Sequence, residues 1–513
     1  MQDLDNIVNG QKLFLKPEYQ EVLNNKKEFE GSMGSINPAK VDEIQEWTKS
    51  WDYREKNLAR EAITVNPAKA CQPLGAVMAG LGFENTMPYV HGSHGCVSYF
   101  RTYFTRHFKE PTPCVSDSMS ESAAVFGGLS NMKDGLRNCN ALYKPDMIAV
   151  STTCMAEVIG DDLGAFILGA KEDAEGELDD VIIPNAHTPS FVGSHITGYD
   201  NMMKSILEQV STEKGTVDEE RINIIPGFEP YLGSLKEIKK ISKMFGDKIV
   251  MLGDHEEQWD TGAGEYKLYA GGTKIEDLKT SINAKATISL QKYSSIATAK
   301  TIKNKWKQTY ETCNPIGLSG TDEFVMKLSE LTGKEVPEEL KQQRAKLVDA
   351  MQDSYPYMHG KKIAIWGDPD FLLGMVSFLV EMGAIPTHVV CHNAPRKNWE
   401  AQMRAILDKS NRSDECNIWP GKDLWALRSL LFTEPVDFMI GNVYGKELYR
   451  DTKTPLIRIG FPIFDRHHLH RYSMSGYEGA INLLTWITNG ILDQLDEETK
   501  DIAETDYFFD SVR

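Results

Sequence analysis

The segment DMIAVSTTCMAEVIGDD, residues 146–162, joins an apolar run to an isolated cysteine. The run DMIAVSTT (146–153) is short, bounded by polar residues and almost continuously apolar, which is typical of a buried strand in a parallel sheet. Cys154 lies where this strand ends, and no second cysteine is close to it in the sequence. Because parallel sheets bind ligands at the carboxyl ends of their strands, the segment predicts an α/β fold with Cys154 at a ligand-binding edge.

Further β-branched runs alternate with long amphipathic patterns along the chain. The amphipathic stretches at 234–246 and 337–355 have apolar positions three and four residues apart, which predicts helices. This alternation predicts an α/β protein of three Rossmann-like, doubly wound parallel-sheet domains behind a mainly helical or irregular N-terminal arm. The other predicted strands are 222–228, 248–253, 361–367, 387–393, 437–442 and 455–461, and the predicted domains are 1–65, 66–215, 216–355 and 356–513.

Composition and charge exclude several classes of function. The 513 residues carry a net charge of -18, which opposes sequence-independent binding to nucleic acid. The opening MQDLDNIVNG has no basic start or apolar core of the kind found in a signal peptide. The longest apolar stretch, FLLGMVSFLV (371–380), is too short to span a bilayer. We therefore expect a cytoplasmic protein that binds neither nucleic acid nor a membrane.

Common cofactor motifs are missing from the sequence. None of the eight cysteines forms a CxxC pair, which excludes zinc-ribbon and bacterial ferredoxin spacings. No Gly-Lys is followed by Ser or Thr, and no GxGxxG follows a predicted strand, so neither a P-loop nor a dinucleotide fingerprint is present. The predicted strand ends must therefore hold something other than a nucleotide.

Three cysteines lie in segments suited to binding an inorganic ligand. Cys71 begins the apolar, helix-like stretch CQPLGAVMAGLG, where unpaired N–H groups and the helix dipole favour a thiolate. Cys96 follows a strand in a loop with Gly92 and Gly95, and Cys154 ends the strand described above. Three thiolates are one fewer than a simple iron–sulfur cluster or a structural zinc needs, so a further ligand must come from another residue or another chain.

The alternative is that the three cysteines are unrelated and buried, since free cysteine is among the most buried residue types. We assign that role to the remaining cysteines, which have no such setting: Cys114, Cys139, Cys313, Cys391 and Cys416.

A set of motifs spread along the chain resembles the β subunits of nitrogenase molybdenum-iron proteins, from about residue 12 to the C-terminus. The long arm, with LFLKPEYQEVLNNKKEFEG (13–31), is similar to the molybdenum type. The other motifs are NPAKACQPLGA, GSHGCVSYFR, VSDSMSESAAVFGG, STTCMAEVIGDD, AHTPSFVGSH, GDPDF, FMIGN and FDRHHLHRYS.

The resemblance implies a shared metal cluster. Cys71, Cys96 and Cys154 match the three cysteines that the family's β subunit contributes to an eight-iron, seven-sulfur P-cluster at the interface with the α subunit. Ser190 matches a serine that joins the cluster on oxidation; read without the family, it is a turn residue. An α2β2 heterotetramer is implied, in which the arm wraps a partner subunit.

The implied function is electron relay from a transiently docked, ATP-hydrolysing iron protein to the iron-molybdenum cofactor. The α subunit alone holds that cofactor, so this chain has no catalytic residue of its own. The complex would reduce N2 to ammonia with concomitant H2 evolution. Phe126 matches an exposed docking phenylalanine, and Tyr99 matches a residue between the two metal centres. Both could instead be packing residues.

One residue departs from the family pattern. His94 stands where many relatives have Gln, two residues from Cys96. If its imidazole faces the cluster, protonation should raise the reduction potential near the histidine pKa.

A second metal site is implied between the two β chains. Asp349 and Asp353 are four residues apart, so they share one face of the predicted helix near its C-terminal end. A solvated acidic face is the alternative explanation. The family places a divalent cation, calcium or iron, between residues matching this pair in one chain and Glu110 with the Lys109 carbonyl in the other; oxygen ligands suit such an ion.

The histidines of RHHLHR (466–471) fit no helical metal motif, and we interpret them, like His187 and His195, as structural. Two other functions remain open at this point. One is a paralogous scaffold for cofactor assembly, and the other is a cytosolic binding or transfer protein with structural cysteines only.

Overall fold

The computed structural model describes residues 17, 20, 38–60, 68–264, 267–393 and 398–500. Within these residues no helix is long and apolar enough to cross a membrane. The chain divides into two compact units, Met1–Ala62 with Arg428–Pro435, and Ile63–Leu427 with Val436–Arg513.

The first unit contains the described part of the predicted arm. It comprises helices α1 (Pro38–Trp47) and α2 (Trp51–Leu58). In α2 the buried Asn57 donates a hydrogen bond from Nδ2 to Ser429 Oγ at 2.8 Å, which joins this helix to residues 428–435. The motif at 13–31 lies outside the described residues, apart from positions 17 and 20.

The second unit begins with a four-stranded parallel sheet in the order β2-β1-β3-β4. Two central strands are flanked by short edge strands. The central strands are fully buried, because their β-branched and aromatic residues face helices on both sides of the sheet. The strands are β1 (Thr86–His91), β2 (Val115–Ser116), β3 (Met147–Thr152) and β4 (Asn185–Ala186). The helices are α3 (Gln72–Leu81), α4 (His94–Phe108), α5 (Glu121–Phe126), α6 (Leu129–Tyr143), α7 (Cys154–Ile159), α8 (Leu163–Asp173) and α9 (His195–Val210).

Two more parallel sheets follow along the chain, in the orders β6-β5-β7-β8 and β11-β10-β9-β12-β13. The second sheet has strands β5 (Asp218–Ile225), β6 (Ile249–Met251), β7 (Ala284–Ser289) and β8 (Thr309–Thr312), with helices α10 (Leu232–Phe245), α11 (Glu256–Trp259), α12 (Ile275–Thr280), α13 (Ile296–Thr301), α14 (Gly317–Thr332) and α15 (Glu338–Met358). The third has strands β9 (Lys362–Gly367), β10 (Ile385–Cys391), β11 (Asn417–Pro420), β12 (Phe438–Gly441) and β13 (Leu456–Arg458), with helices α16 (Pro369–Glu381), α17 (Asn398–Leu407), α18 (Leu424–Thr433), α19 (Gly445–Thr452) and α20 (Gly476–Thr499).

The predicted fold class is confirmed by these three parallel sheets with helices on their faces. Every strand predicted from a β-branched run is present, and both predicted amphipathic helices form, as α10 and α15. Strands β2, β4, β8 and β11 were not predicted, because two to four residues at a sheet edge carry little periodic signal. Strand β7 was also missed, although it has six residues and lies in the centre of its sheet. The domain boundaries near residues 215 and 355 stay a prediction.

Helices α3 and α9 are in backbone contact beside the first sheet. A methyl group on Gly75 would lie 1.8 Å from the His195 carbonyl oxygen, and one on Gly198 would lie 1.8 Å from the Gln72 carbonyl oxygen. Only glycine permits this approach. The contact fixes the start of α3, and with it Cys71, against the start of α9.

We therefore expect Gly75→Ala to lower the free energy of unfolding by about 1–3 kcal/mol, the usual cost of overfilling a packed interior. The midpoint of thermal unfolding measures this change. Gly164→Ala is the matched control, because a methyl group there meets nothing closer than 3.4 Å and α8 gains helix propensity. Equal midpoints for the two variants would contradict the prediction.

Candidate metal centre

Three cysteines start three helices at one edge of the first sheet. Cys71 is the N-cap of α3, Cys96 lies in the first turn of α4, and Cys154 is the first residue of α7. The neighbouring strands β1 and β3 are parallel and end in register, with His91 opposite Thr152. Because both strands end at the same edge, the chain segments that follow them bring Cys96 and Cys154 together.

The predicted loop at Cys96 is wrong, since this residue is helical. The Cys96 amide donates a hydrogen bond to the Ser93 carbonyl at 3.1 Å. Ser93 is the N-cap of α4, so Cys96 already lies in the first helical turn. The turn itself is made at Gly92, where φ is +141° and a methyl group would lie 1.9 Å from Thr153 Oγ1. Glycine therefore lets the segment before Cys96 lie directly on the segment before Cys154.

The three thiols interact electrostatically. Burial raises the pKa of Cys71; a hydrogen bond from the Ser190 hydroxyl opposes that rise, and the charge of Cys154 adds to it. Burial also raises the pKa of Cys96, helped by the charges of Cys71 and Cys154. Burial of Cys71 thus opposes the thiolate that the helix start is expected to favour, and the thiolate at Cys71 stays a prediction.

The donor set nevertheless fits a cationic iron–sulfur cluster. Cys71 and Cys96, whose pKa values are raised in this chain alone, would be stabilised as thiolates by positive metal ions bound between them and Cys154. Cys154 is exposed and Cys71 and Cys96 are half-buried, so the sulfur atoms are accessible from outside this chain. Among the described residues, no three His, Cys, Asp or Glu side chains converge closely enough to hold a single metal ion.

The loop that carries Ser190 is tied to the strand before Cys154. Thr188 N donates to Thr152 Oγ1 at 2.8 Å, and Thr152 N donates to Thr188 Oγ1 at 3.0 Å. Thr188 Oγ1 also donates to the Thr152 carbonyl at 2.7 Å, and His187 bonds to Glu157 at 2.8 Å. These bonds extend the sheet pairing by side-chain contacts and hold the loop beside α7.

Gln72 secures the other end of the same loop. Its buried amide donates from Nε2 to the Pro189 carbonyl at 2.7 Å and also to the Val192 carbonyl, and its Oε1 accepts from Asn201 at 3.1 Å. The residue after Cys71 therefore positions Ser190, which explains why the Ser190 hydroxyl reaches the Cys71 thiol.

The other residues expected near the cluster lie on α4. Tyr99 is partly exposed, and burial raises its pKa, helped by the charge of Cys71. His94 is exposed at the first position of the helix. Its effect on a reduction potential stays a prediction.

Phe126 is 88% exposed at the end of α5, so the packing explanation for this aromatic residue is wrong. Its neighbour Val125 is 74% exposed. The opposite side of α5 is buried, because Ala123 and the preceding Met119 pack against Ala156 of α7. The exposed Val125 and Phe126 therefore lie at the end of α5, and α5 packs on α7, the helix that begins with Cys154.

A buried ionic group, which was not predicted from the sequence, connects these segments. His91 at the end of β1 bonds through Nδ1 to Asp117 and through Nε2 to Asp161 Oδ2, at 2.9 Å for the second contact. Burial alone would lower the pKa of His91, but the hydrogen bonds and charges of the two aspartates outweigh it and raise the pKa. The only sequence signal was the placement of each residue just after a strand or a short helix.

The residues expected at the inter-β cation lie at two places on this chain. Asp349 and Asp353 are exposed on α15, as the helix prediction requires. Lys109 ends α4 in the left-handed conformation, with φ +66°, and Glu110 Oε1 lies 3.7 Å from Arg471. Their contact with a second chain stays a prediction.

The remaining cysteines are buried, as predicted, while the structural role of the histidines in RHHLHR stays a prediction. His195 is buried and bonds through Nε2 to Asp368 at 3.0 Å and through Nδ1 to the Ala70 amide at 3.3 Å. Within RHHLHR, His470 is buried while His467 is exposed. The five other cysteines are all buried.

Proteins of one family match this chain over most or all of its length. The family model for nitrogenase component 1 type oxidoreductase matches residues 71–492, and a domain of unknown function (DUF3364) matches residues 1–57. The nitrogenase molybdenum-iron protein beta chains of Rippkaea orientalis and Azotobacter vinelandii are 57% and 52% identical to this chain, and the matches cover 100% of both sequences. A solved nitrogenase structure, Cp1 at pH 6.5, is 41% identical with a TM-score of 0.82, covering 88% of this chain and 97% of its own.

These matches define the class as nitrogenase oxidoreductases, whose members carry iron–sulfur clusters. The chain belongs to the family of nitrogenase molybdenum-iron protein beta chains. It is accordingly a subunit of a nitrogenase complex, and the beta-chain relationship implies an α partner.

We expect Thr188→Val, which keeps the shape but removes the hydroxyl, to loosen the Ser190 loop. Losing the paired bonds to buried Thr152 should cost about 1–3 kcal/mol. In the assembled complex, amide hydrogen exchange at Phe191 and Val192 should become faster. The control is Thr321→Val, a buried threonine whose hydroxyl bonds to the Gly317 carbonyl at 2.7 Å, far from the loop in sequence. The prediction fails if both variants change exchange at residues 191 and 192 equally.

Proposed function

We propose that this chain holds half of an eight-iron, seven-sulfur P-cluster at its interface with the α subunit. Cys71, Cys96 and Cys154 would be the thiolate ligands, with Ser190 as an added oxygen ligand when the iron is oxidised. The observation that supports this most directly is that three helix starts bring the three cysteines to the carboxyl end of one parallel sheet, where the charges of the thiols and the Ser190 hydroxyl influence the pKa values of Cys71 and Cys96. A cluster with several iron atoms does not require the three sulfur atoms to meet at one point.

The function that follows is electron relay. When bound, such a cluster accepts and releases electrons, while the protein supplies rigid ligands and partly excludes water. Electrons from the ATP-hydrolysing iron protein would pass at this site toward the iron-molybdenum cofactor held by the α subunit, for reduction of N2 to ammonia with H2 evolution. Tyr99 would lie on the side toward the α subunit.

Two residues of this chain would contribute through where they are held: Ser190 beside Cys71, and Phe126 at the exposed end of α5. Ser190 is held by Thr188 and Gln72 within reach of Cys71, so its hydroxyl can approach oxidised iron with little loop movement. Phe126, exposed on α5, would insert into the docked iron protein. An exposed aromatic side chain at a packed helix end suits a transient contact, because little ordering entropy is lost on docking.

Replacing one proposed ligand tests the site. In the complex co-purified anaerobically with the α subunit, Cys154→Ala should lower iron and acid-labile sulfide and abolish ATP-dependent acetylene reduction with added iron protein. Cys139→Ala is the matched control, because Cys139 is a buried cysteine that interacts with none of the three thiols in the proposed site. Full activity and an unchanged cluster spectrum in Cys154→Ala would refute the assignment.

The same measurement separates the alternatives. A binding protein with structural cysteines predicts neither iron nor labile sulfide in the wild-type complex. An assembly scaffold predicts a cluster without acetylene reduction, and the beta-chain relatives do not favour it.

We propose further that a divalent cation, calcium or iron, lies between two β chains of an α2β2 tetramer. Asp349 and Asp353 would bind it from one chain, with Glu110 and the Lys109 carbonyl from the other. The supporting observation is that both aspartates are exposed on one face of α15. Two like charges one helical turn apart repel each other, and a bound cation would remove that repulsion.

The double variant Asp349→Asn/Asp353→Asn should lose the cation and shift the complex from tetramer toward αβ halves. Metal analysis and sedimentation velocity measure the two effects. Glu339→Gln, an exposed acidic residue near the start of the same helix, should change neither. A chelator should reproduce the shift in the wild type; an intact, cation-free tetramer in the double variant would overturn the role in assembly.

A further inference from the structure

His91 lies where three segments of the chain meet. They are residues 92–96 (the Cys96 segment), residues 117–128, which carry Phe126 (the docking segment), and residues 154–161 (the Cys154 segment). Its side chain and those of Asp117 and Asp161 are at most 3% exposed. Both imidazole nitrogens face carboxylate oxygens, and they can both donate hydrogen bonds only when the ring is protonated. One buried imidazole is therefore held between two buried carboxyl groups, a geometry that favours the protonated ring and satisfies both contacts.

Asp117 connects this junction to the Cys96 segment. Its Oδ1 accepts from the Gly92 amide at 2.9 Å, and Gly92 makes the turn into α4. The Gly92 carbonyl in turn accepts from the Met119 amide at 2.9 Å, just before α5. Gly92, at the entry to the Cys96 helix, is thus bonded through both its amide and its carbonyl to the segment that leads to Phe126.

Asp161 connects the junction to the Cys154 segment and to the end of α5. It directly follows α7 and Gly160, and its amide donates to the Ala156 carbonyl at 3.2 Å. Its side chain accepts from the Gly128 amide, with Oδ2 at 3.2 Å. Gly128 comes two residues after Phe126, so Asp161 bonds to the segment that carries Phe126 through its side chain and to the end of α7 through its backbone amide.

The packing at Gly128 leaves no room for independent movement. A methyl group there would lie 2.5 Å from His91 Cε1 and 2.9 Å from Asp161 Oδ2. On the other side of α5, Ala123 packs against Ala156 of α7. The docking segment and the Cys154 helix are therefore joined by an apolar contact at one place and by the ionic group at another.

We propose that His91 and Asp161 are positioning residues that couple docking at Phe126 to the geometry of Cys154. This inference rests on the proposed function, since it requires the docking role of Phe126 and the ligand role of Cys154. Displacement of α5 on docking is transmitted through Gly128 to Asp161 and through Ala123 to Ala156, both of which belong to the Cys154 segment. The partner is the iron protein, and the coupling affects the rate at which an electron is transferred from it in the docked complex.

The test uses the anaerobically purified α2β2 complex carrying His91→Gln, which keeps one hydrogen bond but removes the charge. Transfer of one electron from the reduced, ATP-bound iron protein should slow about tenfold in a stopped-flow experiment, the scale of a typical coupling residue. The dissociation constant for the iron protein, the iron content and the rate of reduction by a small diffusible reductant should each change less than twofold. The control is His255→Gln, a buried histidine with both nitrogens bonded to carbonyl oxygens, which should leave all four quantities unchanged.

Gly128→Ala provides a second, independent variant. Its methyl group would push the segment that carries Phe126 away from His91 and Asp161 while both charged residues are kept, and the same selective slowing is expected. If the His91→Gln complex lacks iron, Asp161→Asn replaces it. Unchanged transfer in the iron-loaded variants overturns the proposal, as does equal slowing with the small reductant, which would indicate a change at the cluster itself. Failure of the proposed function would instead appear as unchanged iron in Cys154→Ala, whatever the transfer rates.

Discussion

The parallel direction of β1 and β3 is the constraint on which the metal centre depends. Because the two strands run side by side in the same direction, the chain leaves both at one edge, and α4 and α7 start there. Each helix starts almost at once after its strand, so Cys96 and Cys154 fall in the first helical turn. An antiparallel pair would have placed them at opposite edges of the sheet.

Close backbone contact completes this arrangement. Gly75 and Gly198 allow α3 and α9 to touch, which brings Cys71 to the edge defined by the strands. Gly92 likewise allows the Cys96 segment to make close contact with Thr153. The thiols are therefore placed by main-chain packing, and side-chain flexibility contributes little. This rigidity would suit the proposed electron-transfer site, where movement of ligands between oxidation states costs free energy.

The surroundings of the thiols are polar and tightly bonded. Thr152, Thr188 and Gln72 hold the Ser190 loop, while His91 and its two aspartates hold the ends of β1 and α7. Buried polar groups are stable only when every partner is satisfied, so these networks admit one geometry. They also connect the cysteines to α5 and its exposed Phe126, which joins the ligand set to the surface that a partner can reach.

The sequence by itself determined the class of fold, because β-branched runs and amphipathic periodicity are local signals that survive without tertiary context. It also identified the three cysteines, since each lies beside a strand end or a helix start, and the family resemblance selected Ser190 and Phe126. The helical setting of Cys96, the raised pKa of Cys71 and the ionic group around His91 were decided only by tertiary structure. Burial, desolvation and the meeting of His91 with Asp117 and Asp161 arise between segments up to 70 residues apart, and no local pattern records them.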